Sequence, residues 1–580
     1  MSLAAAVAGA WANNAEASRV GLFATFVVAL MASVLLVPPL RRYAAHLGLL
    51  DQPDPRKVHK RSVPRSGGLA IVLGALLSTV LWVPGDPLLR GLIIGGMVIA
   101  FFGYLDDRLD LDFRLKFLGQ AIAAIIAMQG GLLIDVWPFL GKAPVPEPLA
   151  WTVTFLFLLG LTNAINFSDG LDGLAGGISL VALGAIAYVA HAFIASDLLS
   201  DPEFVVELLP RAYGVEVLAI AIMGGLCGFL RYNNYPARIF MGDAGSQFLG
   251  FMTAGLAVVL TQHLDPALNP ALVLLILGLP ILDTLCVVIW RVRRGESPFR
   301  PDRRHFHHRL LDLGFRHYEA VATIYLVHGL LVLTALLVRF EGDAVVVGIC
   351  LFASAAIIVF FRWARVSDWM LRPLPDPATA RERRNVALRR LDWLPRASAL
   401  TVQLALGAFM LLAGIAPLAD RSVEEQRLLA MLSLPLGIML LLTLGFGGRW
   451  RHALRRLLLY ASGLLVAYVL SDVLAASLLV NGLVLLIALA VVVAVRVTRR
   501  DQFSTTPLDV LILLFVVVFL LVNAGAEGGF AASGVDDVAR LVVLFYAIEL
   551  LLSKGDRYLH LLSALTGTGL LVLGMRAVLG

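Results

Sequence analysis

The sequence predicts an all-α protein that crosses a membrane many times, with about eleven transmembrane helices in its first part and about seven in a C-terminal extension. Three observations carry this reading. Of 580 residues, 59% are hydrophobic and only 15% charged, with a mean hydropathy of +0.85, more apolar sequence than a soluble core can use. Apolar runs of about 18 or more residues, long enough to span hydrocarbon as a helix, recur to the C-terminus. Basic connections alternate with poorly charged ones, as positive-inside orientation requires. The net charge of +6 therefore belongs to cytoplasmic loops, and nucleic acid is not an expected partner. Cys227, Cys286 and Cys350 lie in or beside apolar segments without paired spacing, which gives no disulfide or zinc pattern.

Residues 1–18 are small and nearly uncharged. With no basic n-region before the first apolar run, they read as a translocated tail and not as a cleaved signal. The first span covers about 19–38, and Arg41–Arg42 put its end in the cytoplasm. A basic, Pro- and Gly-containing loop follows at 51–68. Spans at about 69–83 and 90–105 bring Asp106, Asp107 and Asp110 to the cytoplasmic side. Spans at about 113–136 and 150–165 lead to TNAINFSDGLDGLAGG (162–177), again cytoplasmic. Spans at about 176–195 and 213–230 deliver RYNNYPARIFMGDAGS (231–246). Two more end at Arg291, and an Arg/His loop runs over 291–315. Spans at about 320–338 and 344–362 close the first part. The polar segments thus fall on one membrane face.

Residues 363–397 hold prolines and a dense basic run and read as a cytoplasmic linker between a domain at 1–362 and a transmembrane domain at 398–580. The basic clusters Arg449–Arg456, Arg496–Arg500 and Lys554–Arg557 fall on alternate connections. Buried polar residues there are expected to be few. Asp472, Asn481 and Glu549 read as interhelical contacts or interface residues, and no second phosphate site is expected.

The segment 162–177 carries Asn163, Asn166, Asp169 and Asp172 at intervals of three, with Gly170, Gly173, Gly176 and Gly177. A spacing of three drifts by about 60° per step on a helix, so neighbouring pairs share a face and all four cannot. This predicts a helix end opening into a turn that aims amides and carboxylates at one cavity. Ionisable groups at a membrane edge are costly unless a site uses them. Six carboxylates (Asp106, Asp107, Asp110, Asp169, Asp172 and Asp243) face Arg56, Lys57, His59, Arg291, Arg293, Arg294, His305, His307 and His308. A hard cation such as magnesium takes one or two carboxylates and completes its shell with water and substrate phosphates. Arginines and histidines suit further phosphate oxygens. Acid, cation and base together point to phosphoryl transfer. His305-x-His307-His308 lies among arginines that repel a metal, which favours phosphate contact over zinc. Phe240, before a Gly-Asp turn, suits either apolar packing or stacking on a base. Asp283, inside a span after Pro280, reads as structural. No Walker or GxGxxG pattern follows a strand.

DDRLD (106–110), NAINFSDGLDGLAGG (163–177), FMGDAGS (240–246) and SPFRPDRRHFHHRLLDLGF (297–315) together resemble the polyprenyl-phosphate N-acetylhexosamine-1-phosphate transferase superfamily. The resemblance covers about residues 19–362 and is closest to the undecaprenyl-phosphate GlcNAc-1-phosphate branch, to which the H-x-H-H-R-L form points. It implies transfer of sugar-1-phosphate from a UDP-N-acetylhexosamine to undecaprenyl phosphate with release of UMP, at the cytoplasmic face of a bacterial inner membrane. It also implies roles. Asp243 resembles the magnesium ligand and Asn166 a second one, with manganese a possible replacement ion. Asp106 and Asp107 resemble the acidic pair that organises the lipid phosphate or acts as base. Asp169 and Asp172 resemble the pair near the nucleotide. Phe240 resembles the uracil-stacking aromatic, with Asn163 and Arg304 among the substrate contacts. Arg291, His305, His307 and His308 resemble catalytic phosphate and sugar contacts, and Lys57 a basic residue of the first loop. The extension at 398–580 departs from the family pattern and is expected to associate with a second copy or with later enzymes of the pathway. The competing reading is a transporter of a nucleotide sugar or phosphorylated solute. Transporters place substrate near the midplane and show paired repeats, whereas these motifs gather at one face.

Overall fold

A computed structural model of the chain describes residues 15–51, 62–79, 86–141, 145–194, 202–265, 267–297, 304–371, 394–418, 421, 423–445, 451–476, 478–497, 534–554 and 556–579. It divides into two compact units, Met1–Leu374 and Pro375–Gly580. Both are helical, as a chain whose backbone must satisfy itself in lipid has to be. The single sheet among the described residues is a two-residue antiparallel pair, β1 (Leu50–Asp51) and β2 (Val63–Pro64).

The first unit begins with α1 (Ala15–Tyr43), α2 (Gly67–Thr79), α3 (Pro87–Leu109) and α4 (Phe113–Gln129). It continues with α5 (Glu147–Ser168), α6 (Leu174–Ile194), α7 (Pro202–Asn233) and α8 (Gly242–Gln262). α3 shows how its ends are set. Asp86 accepts from the amides of Leu88 and Leu89, Pro87 supplies a fixed φ in the first turn, and Asp110 closes the helix at φ 50. α8 is the axis of the unit. Its apolar window is wholly buried, and α2, α3, α5 and α6 pack around it. Small residues make this approach possible. A Cβ on Gly250 would fall 2.7 Å from the Thr162 Cα of α5, and one on Gly103 would fall 2.6 Å from the Ala244 Cα.

A 3-10 turn (Pro270–Leu272) leads into α9 (Val273–Ile276) and α10 (Gly278–Arg293), which meet at 77°. One straight span was expected here. Pro280 cannot donate a backbone bond to residue 276, and Gly278 weakens the same turn, so the helix breaks. α11 (Phe306–Asp312), α12 (His317–Leu337) and α13 (Asp343–Val366) complete the unit.

Among the described residues, eleven helices are long and apolar enough to cross a membrane, or twelve with the bent pair counted as one span. Eight of the eleven lie in the first unit, which makes this a multi-pass membrane protein. α4 corrects an expected length. The end of the span expected over 69–83 lies outside the described residues, which give α2 as Gly67–Thr79. The span expected over 113–136 stops at Gln129, because Gly130 ends the helix and Gly131 turns to φ 105.

The second unit comprises α14 (Leu394–Leu412), α15 (Val423–Gly445), α16 (Arg451–Ala476), α17 (Leu478–Val497), α18 (Gly534–Lys554) and α19 (Asp556–Leu579). α14 starts inside the expected linker, whose residues 372–393 lie outside the described residues. α19 packs on α14 and α15 through glycines: a Cβ on Gly569 would lie 2.6 Å from the Met410 carbonyl oxygen, and one on Gly437 would lie 3.0 Å from that of Gly567. Arg576 donates to the carbonyls of Gly414 and Ala416 at the end of the α14 turn. Asn481 accepts from Arg540, and Glu549 accepts from the Tyr460 hydroxyl with Arg456 Nε 3.4 Å away. These are interhelical contacts, as expected for such residues. The side chain of Asp472 lies outside the described residues. The expectation of few buried ions needs correcting. Arg455 is fully buried, with its guanidinium on the Thr443 carbonyl at the end of α15, and Arg540 is 5% exposed. Arg455 falls in the cluster Arg449–Arg456, which read as loop charge, and Arg540 was not singled out.

Each unit holds its own core, so separation is testable. We expect residues 1–377, expressed alone, to be monodisperse and to keep turnover within a few-fold of the whole chain, because every candidate catalytic residue precedes Arg316. A folded but inactive 1–377 fragment, restored by adding 378–580, would place the second unit in the catalytic machinery.

Candidate active site

The site forms where the C-terminus of α3, the start of α4, the end of α5 and the N-terminus of α8 meet. Asp107 Oδ1 accepts from the Asp243 amide at 2.9 Å and Oδ2 from the Ala244 amide at 3.0 Å. Both oxygens of one carboxylate thus satisfy the first turn of α8, where the helix dipole also favours negative charge. Gly242 makes the approach possible: it sits at φ 73, and a Cβ there would collide with Asp107 and the Arg65 carbonyl. The preceding turn is held by α2 and β2. Gly67 and Gly68 donate to the Phe240 and Met241 carbonyls, and the Phe240 amide donates to Pro64.

Asp106 points elsewhere, since adjacent helical residues differ by about 100°. Its Oδ1 accepts from the Leu111 amide at 3.0 Å, and its Oδ2 lies 2.6 Å from Lys116 Nζ. The same ammonium is 3.5 Å from Asp243 Oδ2. Asp243 Oδ1 accepts from Asn166 Nδ2 at 2.6 Å, and that amide also donates to Ser246 at 2.8 Å. The side chains of Lys116 and Asp243 remain 32% and 31% exposed, so both can reach a ligand. Asn163, expected at the substrate, lies a turn deeper. It exchanges bonds with Gln120, which also donates to Gln247, and its Nδ2 donates to the Leu159 carbonyl. Its amide is occupied inside the bundle.

The segment after α5 does open into a turn. Asp169 caps α5 through the Asn166 carbonyl. Gly173, at φ 83, donates to Asn233 Oδ1 and accepts from the Tyr325 hydroxyl at 2.6 Å. Asp172 Oδ2 accepts from the Ala237 amide at 2.9 Å. Burial pushes the Asp169 carboxyl well above the ordinary range, and the charges of Asp243, Asp172 and Asp107 add to it. Burial also raises Asp172 to about 6, against the opposing pull of the Ala237 amide.

Opposite the carboxylates lies the histidine turn. His305 Nδ1 lies 2.9 Å from Asp283 Oδ2, and the His305 ring packs 5.6 Å from that of Phe167. The His305 and His307 rings are parallel at 5.8 Å, and His308 follows at 4.2 Å from His307. His307 fills the space that a Cβ on Gly170 would take, so the turn rests on the acidic segment. Burial, then the neighbouring charges of His308, His305 and His317, hold His307 well below the usual range, and it is neutral at pH 7. Arg291 is buried in the last turn of α10. Arg304, expected at the substrate, stacks on Trp290 at 3.0 Å, beside Arg294 at 4.0 Å. Phe240 is half-buried, its backbone pinned as above. Lys57, with Arg56 and His59, lies outside the described residues.

Lys116, Gln120, Ser246 and Gln247 were not singled out from the sequence. A lone lysine opening an apolar helix reads as a snorkelling side chain; its only signal is a position ten residues after Asp106. The donor set is acidic oxygen in excess over one ammonium, together with the Asn166 carboxamide. It suits a hard divalent cation completed by phosphate and water. No three His, Cys, Asp or Glu side chains form a cage among the described residues, and such a cation needs none.

Residues 89–261 match the model of glycosyl transferase family 4. A Bacillus subtilis protein described as a probable undecaprenyl-phosphate N-acetylglucosaminyl 1-phosphate transferase is 33% identical over 340 residues, covering 58% of this chain and 89% of its own length. The decaprenyl-phosphate N-acetylglucosaminephosphotransferase of Mycobacterium tuberculosis is 32% identical over 385 residues, covering 62% and 92%. The undecaprenyl-phosphate alpha-N-acetylglucosaminyl 1-phosphate transferase of Yersinia pestis is 30% identical over 294 residues, covering 50% and 77%. With the acidic motifs gathered around the N-terminus of α8 and the histidine turn against them, these matches show that the chain belongs to glycosyl transferase family 4, as a phosphotransferase of the polyprenyl-phosphate N-acetylglucosamine-1-phosphate branch.

Proposed function

We propose that the protein transfers GlcNAc-1-phosphate from UDP-GlcNAc to undecaprenyl phosphate, releases UMP, and so starts a lipid-linked polysaccharide of the bacterial cell envelope. The observation that carries this reading is the meeting of four sequence motifs at one end of the bundle, joined through Asp107–α8, Asn166–Asp243, Asp172–Ala237 and His307–Gly170. The Lys/Arg-rich connections support a cytoplasmic orientation of that end, on the side of a bacterial inner membrane where a UDP-sugar is available.

A phosphate monoester has a second pKa of about 6, so the lipid nucleophile arrives ionised and needs little help from a base. A lipid phosphate oxygen attacks the sugar-bearing phosphorus in line. One P–O bond forms, the bond to the UMP oxygen breaks, and UMP leaves with the electron pair. Lys116, held by the buried Asp106 and itself 32% exposed, positions the lipid phosphate. Asp107 works through the backbone of α8. Asp243 and the Asn166 carboxamide would hold magnesium, or manganese in its place, whose charge offsets that of the diphosphate. Phe240 offers its ring to the uracil. Arg291 and the three histidines face the phosphates and sugar from the other wall.

The test is UMP release by the purified protein across a panel of UDP-N-acetylhexosamines, with and without undecaprenyl phosphate and magnesium. We expect release from UDP-GlcNAc that requires both. A transporter would bind or move the nucleotide sugar without either dependence, and that result would end this reading.

A further inference from the structure

We propose that Asp283 is a positioning residue of the transfer, acting through His305: its carboxylate takes the Nδ1 side of the ring and so presents Nε2 to a phosphate of the sugar nucleotide. The inference rests on the reading above. Asp283 stands one turn beyond the 77° bend, in α10, and is only 6% exposed. A carboxylate there is costly unless both oxygens are used. Both are. Oδ2 lies 2.9 Å from His305 Nδ1, and Oδ1 accepts from the Phe306 amide at 2.8 Å.

The two bonds do different work. The Phe306 bond satisfies the first turn of α11 and fixes where His307 and His308 project. The His305 bond fixes the ring itself. A carboxylate only accepts, so Nδ1 must carry a proton and Nε2 becomes the nitrogen available to a ligand. The rest of the surroundings leaves the ring little freedom. Phe167 packs on it from α5 and the His307 ring lies parallel to it, and His305 is 5% exposed. The broken span is thus the device that carries a buried acid from α10 up to the histidine turn. A phosphate oxygen only accepts, so the contact belongs to the imidazolium, in which Asp283 holds the Nδ1–H and Nε2–H donates a charge-assisted bond.

Asp283→Asn separates the two tasks. Its carbonyl oxygen keeps the Phe306 bond. Its amide hydrogens face Nδ1 and force the ring proton to Nε2, and protonation of the whole ring then breaks that contact. The shape survives and the charged contact does not. His305→Asn is the complementary variant: its amide can still donate to Asp283, but nothing stands where Nε2 was.

The experiment measures lipid-dependent UMP release and thermal unfolding for the wild type, both single variants and the double variant. We expect each single variant to keep the wild-type unfolding midpoint and to lose at least tenfold in kcat/KM, with the double variant no worse than His305→Asn alone. Non-additivity of that kind marks residues acting as one unit. Losses that multiply in the double variant, or near-wild-type turnover in either single variant, would overturn the inference. Should Asp283→Asn not fold, Asp283→Ser, which keeps an acceptor for the Phe306 amide, takes its place in the same cycle, and near-wild-type turnover in His305→Asn still overturns the inference. Failure of the wild type to release UMP in a lipid-dependent way would instead remove the reading on which this rests, whereas additive losses in an active enzyme remove only the role of Asp283.

Discussion

Asp243→Ala is expected to abolish turnover, by roughly a thousandfold or more, in a protein that still folds. The size follows from losing the ligand for the charge that offsets a diphosphate in transfer, worth several kcal/mol of transition-state stabilisation at about 1.4 kcal/mol per tenfold. Survival of the fold follows from the partners of Asp243. Asn166 keeps its bond to Ser246, Lys116 keeps Asp106, and the Asp243 amide remains on Asp107. No buried group is orphaned, and the side chain was already 31% exposed. Turnover and thermal unfolding of the purified variant check both halves. Near-wild-type turnover would remove Asp243 from the chemistry, and a collapsed unfolding midpoint would make it a structural residue.

Asp107→Asn should behave differently from its neighbour in sequence and from Asp243. We expect it to lower stability and turnover together. An asparagine offers one oxygen where the carboxylate offers two, so either the Asp243 or the Ala244 amide then faces an NH2 group. A buried donor left without an acceptor costs about 1–3 kcal/mol, and the lost charge at a helix N-terminus adds about 0.3–1 kcal/mol. The first turn of α8 carries Asp243, so its displacement also misplaces the catalytic carboxylate, and at least a tenfold loss of turnover follows. Asp106→Asn should leave the unfolding midpoint higher than Asp107→Asn does, because Asp106 pairs with a half-exposed lysine and one loop amide. If Asp107→Asn unfolds at the wild-type temperature yet is inactive, Asp107 acts on the substrate directly, as the sequence resemblance implied, and the capping account of its role is wrong.

The residues differed in how far the sequence alone could place them. The membrane-spanning helices were legible because their cause is local: a run of apolar residues at 1.5 Å per residue spans hydrocarbon whatever surrounds it. The family was legible for a similar reason, since its motifs are contiguous stretches such as DGLDG and FMGDAGS. The turn after α5 was legible because glycines and Asn/Asp residues at intervals of three cannot continue as one apolar face. The early end of α4 was missed, although Gly130–Gly131 signal it, because the apolar composition resumes at Leu132 and hydropathy outweighed the break.

Only the tertiary structure decided which acid does what. Asp106 and Asp107 are chemically identical neighbours, and their difference lies in the crossing of α3 over α8, where Gly103 and Gly242 let one carboxylate reach the backbone of the other helix. Lys116, Gln120 and Gln247 lie in apolar helices. They join the site only because α4, α5 and α8 pack side by side, contacts between residues up to 127 positions apart. Asp283 meets His305 from 22 positions earlier in the chain. Hydropathy and motif spacing report what a segment is. Which side chain meets which is set by helix crossing and by how closely the backbones approach, and no local stretch of this sequence encodes either.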